Sequence, residues 1–246
     1  MPPLPTHVLR AARVFGLDVS SIQSLGGASG TSWSDGEVVL RVGDRVADEV
    51  LAVSAAAAGV PVPRVLDQIE LDGFRAALLE MVPGRPAGEL ARTIPERAAA
   101  AGRACGALAE RLAWVAAPPR LRDAPGSERG DRSLLHLDLH PYNVLVDDDG
   151  NPTGVIDWAN AAAGDPSLDG ARTWSILMLD PAAIALQANA GWTALTEAWL
   201  QALGEIPPAA RAWACGFMLE DLAQRHAPAE LAHVRHALHQ AQTERP

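Results

Sequence analysis

The sequence contains no lysine. All 20 basic residues are arginine, set against 30 acidic ones, for a formal net charge of −10. That absence excludes a P-loop, which needs a lysine ahead of its serine or threonine, and Schiff-base chemistry, which needs a lysine amine. It also removes the strand lysine on which protein kinases rely. Cysteine is scarce as well. Cys105 and Cys215 lie in alanine-rich helical contexts without C-x-x-C spacing. They read as buried free thiols of a reducing compartment, not as a metal site or disulfide framework. No apolar run reaches the ~18 residues of a membrane span, and no basic segment leads into an apolar one near the start. These absences predict a cytoplasmic protein with no membrane partner. An isoelectric point near 5.1 argues against nucleic acid and weakly favours cationic small molecules.

What is present describes an ordinary globular chain, with 48% hydrophobic and 20% charged residues over 246 positions. That length allows one large domain or two small ones around a common cleft, as a monomer or homodimer. The pattern changes once, near residue 85. Before it, glycine-punctuated β-rich runs predict strands at 20–25, 31–34, 37–42, 65–71 and 75–82, with turns at Asp35-Gly36 and Asp72-Gly73. Helices are predicted at 6–17 and 45–58. After Pro83-Gly84 helices dominate, at 95–115, 168–179, 182–201, 208–225 and 228–242. A β-like island at 134–158 interrupts them, and its predicted hairpin joins 143–146 to 153–156. The expectation is an α+β chain of two lobes: a small antiparallel-sheet lobe over 1–84 and a helical lobe over 85–246. A ligand then belongs in the cleft between them.

The informative segment is HLDLHPYNVLV at 136–146, followed by IDW at 156–158. Phosphoryl transfer needs a carboxylate near the attacking hydroxyl and oxygen ligands that hold Mg²⁺ against the phosphates. Asp138 and Asn143 sit at the two ends of one short loop. A hairpin then returns the chain and delivers Asp157 beside them.

On these residues the chain resembles the aminoglycoside phosphotransferase family, the small-molecule branch of the protein-kinase-like fold. H-x-D-x-H-P-x-N-V-L-V matches that family's catalytic loop, IDW its metal-binding motif, and Gly164-Asp165-Pro166 with Asp169 its G-D-P-x-x-D segment. The resemblance covers about 35 residues. It implies that Asp138 is the catalytic base or orienter of the substrate hydroxyl, that Asn143 and Asp157 bind Mg²⁺, and that His136 and His140 brace and shape the loop. It further implies a phosphate-covering loop at Gly26, Gly27, Ala28, Ser29 and Gly30. The run from Leu79 to Gly84 would be a hinge in which the backbone of Glu80 and Val82 meets the adenine of ATP or GTP. Two departures stand out. Arg41 occupies the place of the nucleotide-anchoring lysine, with Glu49 as its expected helix partner. Only about 50 residues separate hinge from catalytic loop, fewer than in typical members, in a region that helps build the substrate pocket.

The implied activity is transfer of a nucleotide γ-phosphate to a hydroxyl of a small molecule, with an aminoglycoside or similar cationic antibiotic as leading substrate. Choline-like alcohols, homoserine, sugar derivatives and macrolides are alternatives. A protein substrate is not expected, since Leu137 follows the histidine where protein kinases carry arginine and no A-P-E segment follows. Two rival readings use the same residues. His136, Asp138 and His140 alternate and could ligate zinc in a metal-dependent hydrolase, but that leaves Asn143 and Asp157 without a role. A nucleotide-binding pseudoenzyme would account for Arg41 and the short middle. His233, His236 and His239 read as a solvated helix face, Asp147 to Asp149 as a solvated turn, and Glu220 and Asp221 as a helix edge or amine contact. Asp165 and Asp169 read as helix cap and loop anchor. Trp33, Trp158 and Trp174 read as core.

Overall fold

Strand alternation explains the first part of the molecule. In the computed structural model, which describes residues 4–26, 31–71, 73–126 and 132–244, five antiparallel strands form one sheet in the order β1-β2-β3-β5-β4. They are β1 (Gln23–Ser24), β2 (Ser32–Ser34), β3 (Val38–Val42), β4 (Val65–Leu71) and β5 (Phe74–Glu80). On β3, Leu40 and Val42 point to one face, where they pack with Trp33 against Val8, Ala11 and Ala12 of helix α1 (Thr6–Val14). Val39 points to the other face, against Val46 and Val50 of helix α2 (Val46–Ala56). Since successive side chains alternate, Arg41 shares the α2 face with Val39. The strand expected over 20–25 is reduced to two residues. Asp18 accepts from the Ser20 N–H at 2.9 Å and its carbonyl from Ser21 at 3.1 Å, so a turn takes up the start of that run.

The helical part begins sooner than its sequence suggests. Directly after the Pro83-Gly84 break, strand β6 (Arg85–Pro86) and helix α3 (Ala87–Thr93) precede the long helix α4 (Pro95–Ala113). Strand β7 (Ser133–Leu135) follows, then the hairpin β8 (Val144–Val146) and β9 (Pro152–Val155). β6 pairs with β8 and so joins that hairpin in a three-stranded sheet. A 3₁₀ turn (Trp158–Asn160) leads to strand β10 (Ala162–Gly164), which pairs with β7. The remaining helices are α5 (Pro166–Leu179), α6 (Pro181–Ala185), α7 (Ala190–Leu203), α8 (Pro208–Leu222) and α9 (Ala232–Thr243). The single helix expected over 182–201 is two, because the Asn189 side chain accepts from the Trp192 N–H at 2.9 Å and starts a new helix there. Both cysteines are buried and unbridged.

Small residues bring the helices of this part together. Ala98, Ala101, Gly102, Cys105 and Gly106 fall on one buried stripe of α4, facing Leu195, Ala198 and Trp199 of α7. A β-carbon on Gly102 would overlap the Leu195 carbonyl, and one on Gly191 would overlap the Ala91 carbonyl of α3. Alanine favours a helix over glycine by about 1 kcal/mol. Even so, Gly102→Ala and Gly191→Ala should each destabilise the fold by a net ~1–3 kcal/mol, because backbone must move to admit the methyl. Urea unfolding checks this. Equal or greater stability in both variants would show that these helices separate freely.

Candidate active site

The 136–146 loop is held from behind by one face of α5. Leu137 sits in the left-handed region at φ +59°, an uncommon place for a non-glycine residue that surrounding contacts must enforce. They do so here. The Leu137 N–H donates to Asp169 Oδ1 at 2.6 Å, Arg172 Nε donates to the Leu137 carbonyl at 3.3 Å, and Thr173 Oγ1 donates to the Leu139 carbonyl at 3.0 Å. Asp169, Arg172 and Thr173 are spaced i, i+3, i+4 and so share one side of the helix. Burial raises the pKa of the Asp169 carboxyl, opposed by His136 and by backbone N–H donors. Asp169→Ala should cost about 1–3 kcal/mol in urea unfolding, because it leaves the buried Leu137 N–H without its acceptor. A variant as stable as the parent would mean that Leu137 is held without it. Asp165 caps α5 through the Ser167 N–H at 2.8 Å.

The loop's own side chains then fix one another. His136, fully buried, lies 3.0 Å through Nε2 from the Ile156 carbonyl and accepts the Asp138 N–H on Nδ1 at 3.2 Å. This assigns the proton to Nε2 and occupies both nitrogens, which removes His136 as a zinc ligand. Asn143 donates through Nδ2 to the Asp138 carbonyl at 2.9 Å and to Asp138 Oδ2 at 3.3 Å. Its own carbonyl accepts from the Ile156 N–H at 2.9 Å, so the turn before IDW lies against Asn143. Asp157 follows at φ +61°, the second left-handed non-glycine residue among those described. Its strained backbone starts the 3₁₀ turn. Trp158 is fully buried, with its ring centroid 4.5 Å from that of His136.

Arg41 reaches this cluster from the sheet. It is 5% exposed; its Nε lies 2.9 Å from Glu49 Oε2, its Nη2 lies 3.0 Å from Asp157 Oδ1, and its Nη1 donates to Ser32 Oγ. Glu49, 3% exposed, also accepts from the Trp158 backbone N–H. Burial raises the Glu49 pKa while Arg41 opposes that rise. β3, α2 and the segment after β9 are thus joined by one guanidinium. His140 Nδ1 accepts the Tyr142 N–H at 3.2 Å, and its Nε2 stands 3.9 Å from Asp138 Oδ1. Burial lowers the His140 pKa, with the Asp138 charge acting against it, so the ring is neutral at pH 7.

The remaining expected residues are less central. Gly26 donates to Ser24 Oγ at 3.1 Å, while Gly27 to Gly30 lie outside the described residues. The Glu80 N–H donates to the Arg64 carbonyl at 2.9 Å, and its carboxylate pairs with Arg64 at 3.0 Å. Val82, just beyond β5, makes no backbone N–H bond among the described residues. His233 is tied to the Leu179 carbonyl at 2.7 Å, so it does not share the solvated face with the exposed His236 and His239. Asp221 lies 3.2 Å from both Arg172 and Arg225. Arg172, Thr173 and Tyr142 were not singled out from sequence. The i, i+3, i+4 spacing from Asp169 was the signal available for the first two.

The two-lobed α+β fold, with an antiparallel sheet above a helical part and an acid–amide–acid cluster on its central loop and hairpin, is kinase-like in architecture. Residues 104–213 match the family model described as the APH phosphotransferase enzyme family. The uncharacterized protein YcbJ of Bacillus subtilis (strain 168) is 48% identical over 40 residues, 16% of this chain and 13% of that protein's length. The chain is similar to solved structures throughout. It superposes on aminoglycoside-3′-phosphotransferase of type VIII with a TM-score of 0.60, 20% identity, and coverage of 96% of this chain and 100% of that one. With a thermostable mutant of aminoglycoside phosphotransferase APH(4)-Ia in ternary complex with ADP and hygromycin B, the TM-score is 0.57 at 16% identity, covering 98% and 100%. With a choline/ethanolamine kinase family protein from Mesorhizobium loti it is 0.51 at 18% identity, covering 92% and 88%. Among the described residues no helix is long and apolar enough to cross a membrane.

Proposed function

We propose that this protein transfers the γ-phosphate of ATP or GTP to a hydroxyl of a small molecule, with an aminoglycoside or similar cationic compound as the leading acceptor. The observation that carries this reading is the convergence of Asp138, Asn143 and Asp157 with Arg41, a cation from the opposite lobe. The acceptor oxygen attacks the γ-phosphorus, the bond from that phosphorus to the β,γ-bridging oxygen breaks, and the hydroxyl proton passes to Asp138. The nucleoside diphosphate leaves. Asp138 suits this role because Asn143 engages Oδ2 and leaves Oδ1 on the His140 side for the acceptor. The Asn143 carboxamide oxygen and the Asp157 carboxylate form a hard-oxygen donor set suited to Mg²⁺, which would neutralise charge on the phosphates.

Arg41 takes the task of the missing lysine. It keeps the positive charge, is held by Glu49, and has the planar donor set that suits a phosphate. A guanidinium turned inward onto Asp157 favours a working anchor over a pseudoenzyme. Two similar structures, one carrying ADP and hygromycin B and one of the choline/ethanolamine kinase family, make aminoglycosides and ammonium alcohols the first classes to test. The test is a phosphate-transfer and thermal-shift screen over antibiotics and small amino alcohols, with Mg-ATP and Mg-GTP in parallel and Asp138→Ala as control. Transfer by the parent alone supports the reading. Absence of transfer to every acceptor overturns it.

A further inference from the structure

Tyr142 is the chain's only tyrosine and the only exposed residue of the 136–146 loop, at 38%. Three elements nevertheless hold it in place. Its N–H is bonded to His140, and the carbonyl of Pro141 before it accepts the Gly88 N–H of α3 at 2.9 Å. Its ring stacks on Trp192 of α7 at 5.9 Å between centroids and meets the edge of His140 at 6.4 Å. Gly88 leaves the room for this, since a β-carbon there would stand 3.2 Å from Tyr142 Cζ and 3.1 Å from Trp192 Cζ3. The hydroxyl has no hydrogen-bond partner among the described residues and, on an exposed side chain, is open to solvent.

The ring lies next to the reacting group. His140 touches the Tyr142 ring on one side and stands 3.9 Å from Asp138 Oδ1 on the other. The His140 imidazole thus bridges Asp138 Oδ1 and an aromatic surface that an acceptor held at Oδ1 can reach. Trp192 stacks on that ring, which remains part-exposed, and the faces of its π-system are negative. The exposed carboxylate of Glu89 follows Gly88 on α3, and His140 adds no opposing charge because burial favours its neutral form.

We infer that Tyr142 is a specificity-determining residue, whose ring face receives an ammonium group of the acceptor while a nearby hydroxyl of the same molecule meets Asp138. This rests on the phosphotransferase reading and narrows its substrate class to amino alcohols, in which cation and hydroxyl are only a few bonds apart. The contact is a cation–π interaction on a pre-held ring.

A single tyrosine permits a direct test. Protein labelled with 3-fluorotyrosine has one ¹⁹F resonance, to be titrated at constant ionic strength with kanamycin, choline and the neutral polyol sorbitol. Saturable displacement by at least one ammonium compound, and none by sorbitol, is expected. In turnover assays with an amino alcohol that the parent protein phosphorylates, Tyr142→Leu should raise the acceptor KM roughly 2- to 30-fold while changing kcat and the nucleotide KM less than twofold. Tyr142→Phe, which keeps the ring, should restore the acceptor KM. A resonance that stays silent to all three probes overturns the inference, as does an unchanged acceptor KM in Tyr142→Leu. Transfer without any response of the ring removes this inference alone. A responsive ring without transfer to any acceptor removes the phosphotransferase reading and leaves the ammonium contact standing.

Discussion

Asp138→Asn should lower kcat for phosphate transfer by about 10²–10⁴-fold with little change in nucleotide KM or melting temperature. The side chain is a quarter exposed, and asparagine keeps an oxygen for the Asn143 donor, so the fold loses little. The variant loses a carboxylate able to take the acceptor proton. His140 is the other base within reach, yet it stands 3.9 Å from Asp138 Oδ1, and burial, by lowering its pKa, weakens it as a base. Accordingly His140→Gln should keep activity within about tenfold of the parent, as expected of a residue that shapes the loop. Steady-state kinetics on both variants separate the roles. A rate for Asp138→Asn within tenfold of the parent, or a larger loss in His140→Gln, would move the base elsewhere.

The second large effect concerns Arg41. Arg41→Met should abolish nucleotide-dependent thermal stabilisation and also weaken the fold itself by about 3–5 kcal/mol, because Glu49 would be left buried without its cation. In a chain of this size that corresponds to a fall in Tm of roughly 10 °C. The pH dependence has a definite sign. Glu49 has a raised pKa in the folded protein, and losing Arg41 raises it further. A carboxyl of that kind is best tolerated while protonated, so the deficit should be small below about pH 4.5, the ordinary range for glutamate, and grow as pH rises through the folded value. Arg41→Met/Glu49→Gln should recover most of the stability, since glutamine is neutral and still offers an oxygen to the Trp158 N–H. It should not recover nucleotide binding. Urea unfolding at pH 5 and pH 8, with thermal shifts in Mg-ATP, reads both effects. Unaltered nucleotide binding by Arg41→Met would remove Arg41 as the anchor.

The split between these readouts reflects how the site is encoded. Asp138, Asn143 and Asp157 lie within 20 positions of one another, and only a short loop and one hairpin separate them. Their convergence was legible because so few residues have so few ways to fold. The sheet part was legible for a similar reason: alternating apolar residues and Asp-Gly or Gly-rich turns mark hairpins locally. Less legible were α3, β6 and the break between α6 and α7. Each depends on a pairing or cap that periodicity does not register, such as β6 against β8 or the Asn189 cap.

The missing lysine illustrates the boundary between the two kinds of information. By itself the sequence determined the chemistry on offer, because spacing within one loop and hairpin brings acid, amide and acid together, and because the lack of lysine leaves arginine to supply every strong cation. It also named the strand position that arginine fills. Only the tertiary structure decided what that arginine does. Arg41 and Asp157 are 116 residues apart, and their 3.0 Å contact depends on the docking of two lobes. The α5 face that bends Leu137 and the Trp192 surface that presents Tyr142 arise in the same way. Such contacts form because a buried polar group left unpaired is costly, and its partners are set by packing between distant elements, which no local spacing records.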